Sequence, residues 1–384
     1  MNDWGKYGRT YENIARNLAE LSDIGRVICF LPPQQIEQGC YAWPFTFKRV
    51  SAKLFLITPN TRMVPTLTAP YRMRQWINRV LPDFLLNKFM RFLGFNMRNT
   101  VLWVFPPHYY IDKLVKSFPH SLLITQIIDN NTFLGNKDNQ TITNIKNQYE
   151  DLSKKSDLII TSARINYDIF SKINNSCYFF ENAVDPIFIN SPTILPYRLN
   201  RRRPRLGYVG FITKRTDIKL LDYIARSRPE YDLLIAGPRQ NLQQNNLNRY
   251  GTLDLPNVSY EGVIHYRDVP KFLQTIDVCL IPHKDTLYSK SMNPLNLYQY
   301  LGSGRPIVST SIAGVERWNG LISIAVNYKD FVIKIDDALK NDNEDRSCRR
   351  ISAAKNETWD KRIDEIFEVV MLHWKKRINQ YANL

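Results

Sequence analysis

Two short stretches place polar groups where a strand hands over to a helix. In LGYVGFITKR (206–215) an apolar run ends at Gly210, and Lys214 and Arg215 follow before the next helical pattern. Glycine admits close backbone approach, and helix-terminal N–H groups beside a Lys or Arg can hold a phosphate. In SKSMNPLNLYQYLGSGRPIVST (289–310), Asn293 and Pro294 signal a helix start, as an N-cap residue followed by proline at the first helical position. Leu295, Leu297, Tyr298 and Leu301 supply the buried face, Gly302 or Gly304 ends the helix, and Pro306 opens the next strand. The positive N-terminal end of such a helix suits an anion, and Gln299 lies one turn beyond it. A plain strand–helix turn and a well-made helix would use the same residues, so neither stretch decides alone. Asp129 lies just past a third apolar run, LLITQI (122–127). It could orient or deprotonate a hydroxyl, or close an Asx turn with Asn130 and Asn131. His265 follows the run VSYEG, and the other four histidines (108, 120, 283, 373) show no metal-ligand spacing.

The elements that must position these groups alternate regularly. RVICFL (26–31), KLFLIT (53–58), VLWVF (101–105), LLITQI, DLIIT (157–161) and CYFF (177–180) are nearly continuous apolar runs, the pattern of parallel strands covered on both faces. Amphipathic stretches at 9–22, 143–155 and 163–172 lie among them. Residues 186–205 carry four Pro, five Arg and no acid, and read as a linker. A second series follows: strands at 206–210, 232–237, 258–262, 278–282, 306–310 and 322–326, with helices near 217–227, 241–250, 268–275, 294–303 and 328–340. A long amphipathic helix over 357–380 ends the chain. This is the α/β signature. It predicts a first domain over 1–186, a linker over 187–205, a second domain over 206–356 and a C-terminal helix over 357–384. Ligands of such sheets sit at the carboxyl ends of strands, in a cleft facing the other domain. No strand precedes the first helix. Residues upstream of Met1, or a sheet completed in another way, would account for that.

Composition narrows the class. The 384 residues are 44% hydrophobic and 23% charged, which excludes whole-chain disorder, collagen and disulfide scaffolds. The net charge of +16 is spread evenly: 22 basic and 15 acidic residues before position 192, 30 and 21 after. Such a surface suits polyanions, acidic lipid head groups or phosphorylated small molecules, and equally serves solubility. Five scattered cysteines without a CxxC pair argue for reduced thiols in a cytoplasmic protein. No run approaches a membrane span, and the first residues carry no signal peptide.

Taken in order, the pieces resemble GT-B glycosyltransferases of the retaining, glycogen-synthase-like type. NPLNLYQYLGSGRPIVST is similar to their Pro-Leu-Lys-x-x-Glu-Tyr-Leu-Ala-x-Gly-Lys-Pro-Val-Val run. RPRLGYVGFI, LLIAGP (233–238) and PNVSYEGVIHYRDVPKFLQTIDVCLIP (256–282) resemble successive parts of the nucleotide-sugar domain. ENAVDPIF (181–188) resembles the Pro-Asn-Gly-Val-Asp-x-x-x-Phe that closes the first domain, and TQIIDNNTF (125–133) the acceptor-side Tyr-Asp-x-x-Asp-Asp. NDWGKYGRTYENIARNLAE resembles the Trp-x-x-x-x-Arg opening of teichuronic acid glycosyltransferases. The match covers nearly the whole chain and is specific as a set.

The resemblance implies two Rossmann-like domains facing each other across a cleft, with the C-terminal helix crossing back to the first. It implies transfer of a sugar from a nucleoside diphosphate to a glycan or polyprenyl-linked acceptor, without a metal or other cofactor. Gly210, Lys214, Arg215, Asn293, Pro294, Leu295 and Asn296 would face the diphosphate, Gln299 the ribose and His265 the base. Asp129 would be catalytic, and Trp4, Arg9 and Asn130 would line the acceptor side. Three positions depart from the family. Asn296 stands for the phosphate-binding Lys, Gln299 for the ribose-binding Glu, and Ser291 for the first Glu of Glu-x7-Glu. Gln keeps an acceptor oxygen but loses the charge, and charge-assisted bonds are roughly twice as strong as neutral ones. Lys290, Lys214 or Arg215 could supply the missing cation; a non-catalytic scaffold of a polysaccharide-assembly complex is the alternative. Residues 71–98 hold six basic residues against one acid, interleaved with Trp76, Phe84, Phe89, Phe92 and Phe95. That mixture suits docking at the inner face of a membrane, or a helix pair with a solvated basic face. No nucleic-acid motif accompanies the charge.

Overall fold

The computed structural model describes residues 4–32, 45–59, 85, 87–108, 111–135, 138–190, 203–239, 248 and 250–382. The helix expected at 241–250, the core of the expected linker, and residues 71–84 of the basic–aromatic segment lie outside the described residues. The chain divides into two compact units. One comprises Met1–Gln126, Asn147–Ile159 and Ile363–Leu384, the other Ile127–Lys146 and Ile160–Arg362.

The amino-terminal part opens with α1 (Thr10–Glu20), whose Ile14, Ala15 and Ala19 are buried. Ala15 and Ala19 pack with Leu54 in one small core that Trp4 joins. Strands β1 (Val27–Phe30), β2 (Phe45–Arg49) and β3 (Leu54–Pro59) form a sheet of order β1-β3-β2. β1 runs parallel to β3, and β2 antiparallel to it. β2 is absent from the apolar-run reading because FTFKR is an edge strand, exposed at four of its five positions. A short helix over 87–92 (α2) leads to β4 (Val101–Val104), α3 (Ile111–Ser117) and β5 (Leu122–Ile127). After α4 (Asn139–Lys155) come β6 (Leu158–Thr161), α5 (Arg164–Phe170) and β7 (Cys177–Phe179). Strands β4 to β7 lie in sequence order in a four-stranded sheet. β5 and β6 are buried along their whole length, as their unbroken apolar runs require.

The six-stranded sheet of the second unit is parallel throughout. Its strands are β8 (Arg205–Val209), β9 (Asp232–Ala236), β10 (Val258–Gly262), β11 (Val278–Ile281), β12 (Ile307–Thr310) and β13 (Ser323–Ala325). Their order is β10-β9-β8-β11-β12-β13. Numbered from β8, that is 3-2-1-4-5-6, the doubly wound arrangement whose direction of winding reverses between β8 and β11. Alternate strand residues feed two cores. Leu206, Tyr208, Leu233, Ile235, Val278 and Leu280 pack with α6 (Ile218–Ser227) and α10 (Tyr328–Asn341). Val209, Ala236, Cys279 and Ile281 pack with α7 (Val269–Gln274) and α9 (Leu295–Ser303). Between β11 and α9 lies the one-turn α8 (Leu287–Lys290).

α9 starts one residue later than its sequence suggests. Pro294 is the N-cap, and no side chain caps the helix. Gly304 rather than Gly302 ends it, in the left-handed conformation at φ 71°. A Cβ there would come within 2.5 Å of the Ser347 hydroxyl. That serine belongs to α11 (Glu344–Lys355), a helix without an expected counterpart. The last helix, α12 (Trp359–Ala382), belongs to the first unit from Ile363 onward. There Arg377 comes within 3.8 Å of Asp157.

A candidate ligand site at the carboxyl ends of the second sheet

Open parallel sheets bind ligands outside the carboxyl ends of the strands at the point of reversal, here the loops after β8 and β11. Both loops belong to the second unit, as do Asp129 and the start of α9. The ends of β8, β9 and β10 abut by backbone alone. Gly210 N–H donates to Ala236, and Gly237 N–H to Gly262. Gly237 has φ 130°, and a Cβ on it would lie 2.0 Å from the Gly210 carbonyl oxygen, so only glycine fits.

The loop from Gly210 to Asp217 is pinned at many points. The Tyr208 hydroxyl meets the Phe211 carbonyl and the Thr216 hydroxyl, both at 3.3 Å. Asp217 caps α6 by accepting from Leu220 N–H, and its other oxygen accepts from Tyr328 at 2.7 Å. Asp217 N–H donates to Pro282 and Lys284 N–H to Arg215, which stitches this loop to the one after β11. Within this frame Arg215 keeps unused hydrogen-bonding capacity. Its Nε–H is buried with no hydrogen-bond partner, and its Nη1 reaches the Met292 thioether at 3.6 Å.

Asp129, His283, Tyr288 and Tyr208 all feel the charge of that guanidinium. Burial raises the Asp129 carboxyl to about 6, against the pull of Arg215. Burial, and then the Asp129 carboxylate, push the Tyr288 hydroxyl up to about 12. His283 is held well below its ordinary value by burial and by Arg215, so its ring is neutral. Its Nε2 is buried without a hydrogen-bond partner. The sequence reading notes His283 only as lacking metal-ligand spacing and does not single out Tyr288. They lie on the loop after β11, where only knowledge of the strand order singles them out.

The approach to α9 is fixed by residues far away in sequence. Ser291 Oγ accepts from Asn130 N–H at 3.2 Å and donates to the Tyr288 carbonyl, and the Ser291 carbonyl accepts from Asn166. The serine at the family's first Glu position is fully buried and spent on these bonds. Asn293 does not cap the helix. Its Oδ1 accepts from Asn182 N–H, its carbonyl from the Asn182 side chain, and its Nδ2 reaches Glu181 at 3.4 Å. Arg317 pairs with both Glu181 and Glu357. Burial raises the Glu181 carboxyl, and Arg317 offsets part of that. Gly314 completes the packing: a Cβ there would lie 2.7 Å from Asn293 Nδ2. Glu181 and Asn182 lie in the quoted ENAVDPIF segment, where the sequence reading saw only the end of a domain.

The other departing family positions, Asn296 and Gln299, lie on α9. Asn296 is buried, one helical turn before Tyr300 and its hydroxyl. That hydroxyl accepts from Val209 N–H at 2.8 Å and meets the Val209 carbonyl at 3.2 Å. It thereby satisfies the last residue of β8, which the short β8–β11 pairing leaves without a strand neighbour on that side. Gln299 is half-buried on the next turn face, and Lys214 half-buried in the Gly210–Asp217 loop.

Of the remaining expected site residues, Asn130 uses its side chain to cap the turn at Asn131–Phe133. His265 caps the turn Tyr266–Asp268, with Nδ1 accepting from Arg267 N–H at 3.4 Å, and stands exposed. Trp4 and Arg9 belong to the first unit. There the Arg16 guanidinium lies 5.9 Å from the Trp4 ring, and Arg9 lies over Tyr7 at the start of α1.

Known proteins share this fold and part of this sequence. Residues 203–341 match the family model described as glycosyl transferases group 1. A stretch of 112 residues is 29% identical to TuaH of Bacillus subtilis (strain 168), named as a teichuronic acid biosynthesis glycosyltransferase; it spans 29% of this chain and 28% of that protein. The fold as a whole is similar to sucrose-phosphate synthase from Thermosynechococcus elongatus, with TM-score 0.64 at 12% identity over 97% of this chain and 93% of that one. It is also similar to the E. coli trehalose-6-phosphate structure bound with UDP-2-fluoro glucose, with TM-score 0.63 at 11% identity over 94% and 95%. S. aureus TarM, in complex with UDP and glycan ligands, gives 0.57 at 13% identity over 76% and 59%. Residues 203–341 thus match the glycosyl transferases group 1 model, within a chain of GT-B fold.

Proposed function

We propose that this chain is a retaining glycosyltransferase of the hexosyl type. In this reading it moves a sugar from a nucleoside diphosphate to a glycan or polyprenyl-linked glycan in cell-surface polysaccharide synthesis. The carrying observation is Arg215: a half-buried cation whose Nε–H is buried without a hydrogen-bond partner, at the winding reversal of the sheet and beside the approach to α9. When the bond from the anomeric carbon to phosphate breaks, its electrons leave with the diphosphate. Positive charge fixed in advance lowers that barrier without reorganisation. Arg215 supplies a full charge and α9, uncapped by any side chain, the partial charge of a helix N-terminus. Arg215 thus takes the role of the family's lysine, whose position Asn296 occupies. With these charges in place the reading needs no resident metal.

Asp129 is the group to orient the acceptor hydroxyl and receive its proton as the new glycosidic bond forms. Gly210, Lys214, Asn293, Pro294 and Leu295 border the diphosphate, Gln299 the ribose and His265 the base, with Trp4, Arg9 and Asn130 on the acceptor side. Among the described residues no helix is long and apolar enough to cross a membrane. A lipid-linked acceptor would therefore be met by docking at the inner surface of the membrane.

Nucleotide binding tests the reading. Thermal melts with UDP, GDP or ADP should show one nucleotide raising the midpoint, by the equivalent of about 2.7 kcal/mol at 100 times its Kd. Arg215→Ala should weaken that nucleotide roughly 10- to 100-fold, the worth of a charged hydrogen bond. A folded protein that none of the three stabilises would overturn the catalytic reading in favour of the scaffold.

A further inference from the structure

The first unit carries a surface that the donor chemistry does not use. α2 has two faces. Phe89, Met90 and Leu93 face inward and pack with Ile57, Phe118 and Phe95. Phe92, on the opposite face, is 85% exposed, and Met97 in the following turn is 50% exposed. The turn is held in shape: Arg26 donates to the Leu93 carbonyl at 2.8 Å, and Asn96 N–H is held by Asn99 and Thr100. Arg91, Phe95, Met97 and Arg98 line an open groove of about 590 Å³ there. Arg91 and Arg98 are exposed, and neither guanidinium has a carboxylate partner among the described residues. Residues 85–100 include Lys88, Arg91 and Arg98 and no acid.

A large apolar side chain left bare beside a satisfied inner face is not core in waiting. Bare phenylalanine and methionine at a rigid tip, flanked by unpaired arginines, match the depth profile of a bilayer interface: acyl chains below, phosphates at the level of the guanidiniums. We infer that this tip docks on a bilayer of anionic lipids, with Phe92 and Met97 entering the interface and Arg91 and Arg98 meeting the lipid phosphates. The inference rests on the lipid-linked acceptor read above for its purpose, and on this patch alone for its evidence.

Co-sedimentation of the full chain with vesicles tests it. Phosphatidylcholine vesicles with roughly a third phosphatidylglycerol should bind the protein, and pure phosphatidylcholine much less. The double variant Arg91→Glu/Arg98→Glu should lose at least about tenfold in affinity, as repulsion replaces attraction. Phe92→Ser/Met97→Ser, with charge unchanged, should lose several-fold. Melting midpoints and the nucleotide-induced shift should stay at native values, because all four side chains are exposed. Phe92→Trp, which keeps the aromatic body, should add emission that brominated acyl chains quench. The inference is overturned by a native chain that ignores anionic vesicles, by an unaltered affinity in Phe92→Ser/Met97→Ser, or by selective binding of RNA over vesicles through the same arginines. Vesicle binding without nucleotide binding would overturn the transferase reading alone, and the converse only this one.

Discussion

Asp129 couples two properties that pull in opposite directions. Its carboxyl titrates near 6 in the folded chain, above the 3.8 of a free aspartate, because burial penalises the charge more than Arg215 relieves it. A group whose folded-state value is raised favours the fold fully below its unfolded value, and that contribution is lost as pH rises through the folded one. At neutral pH the ionised Asp129 therefore costs stability. Asp129→Asn should raise the melting midpoint at pH 7.5 relative to the native chain and lose that advantage at pH 4. The same ionised form is the one that can accept a proton. Transfer by the native enzyme should fall as pH drops through about 6, and Asp129→Asn should lose roughly 10²–10⁴ in kcat and this acid limb with it. Arg215→Met should move the limb of its residual activity to higher pH, since the cation that favours the carboxylate is gone. An acid limb that persists in Asp129→Asn would assign the titration to another group.

At the scale of elements, the frame of the site was readable and its fastenings were not. The strands of the second sheet announce themselves as apolar runs because both faces are covered, and the glycines ending β8 and β9 stand in those runs. What sequence could not give is pairing across more than a hundred residues. Asn130 with Ser291, Asn166 with Ser291 and Asn182 with Asn293 are ordinary polar residues until the fold brings them together. The same holds for Tyr300, which the sequence reading does not place on the buried face of α9. Its hydroxyl is also the hydrogen-bond partner of the end of β8. Tyr300→Phe leaves a buried N–H unsatisfied and should cost about 1–3 kcal/mol, with weaker nucleotide binding as Gly210 loosens. Gly237→Ala is the sharper test. The new methyl would meet the Gly210 carbonyl at 2.0 Å in a backbone region alanine avoids, so the strand ends must part. It should lower the melting midpoint more than Tyr300→Phe and abolish the nucleotide-induced shift. A melt within a degree or two of native would mean that the three strand ends are not locked as described.

At the scale of the molecule, the chain's end is part of its fold. The backbone at Glu357 and Trp359 bonds both sides of Val184. Glu357 joins Arg317 and Arg362, and so is tied to Glu181 and the support of Asn293. Further back, Arg350 binds the Gly304 carbonyl at the end of α9 and forms a fully buried pair with Asp342, with N···O distances of 2.9 and 2.5 Å. Beyond Glu357, α12 buries Trp359, Ile363, Ile366 and Val370, each at most 4% exposed. Four such side chains at about 1.5–3 kcal/mol each amount to roughly 6–12 kcal/mol. That is comparable with the whole stability of an ordinary domain, about 5–15 kcal/mol. A chain ended after Asn356 should therefore fail to fold cooperatively and be recovered mostly insoluble. A chain ended after Arg377 keeps every one of these contacts, including the approach of Arg377 to Asp157, and loses only residues 378–384, which begin with the exposed Ile378 and Asn379. It should melt within a few degrees of the full chain and bind nucleotide equally well. If the chain ended after Asn356 also folded and bound nucleotide, α12 would be an appendage rather than part of the fold. The ties at Val184 and Glu181 would then not be what holds the approach to α9 in place.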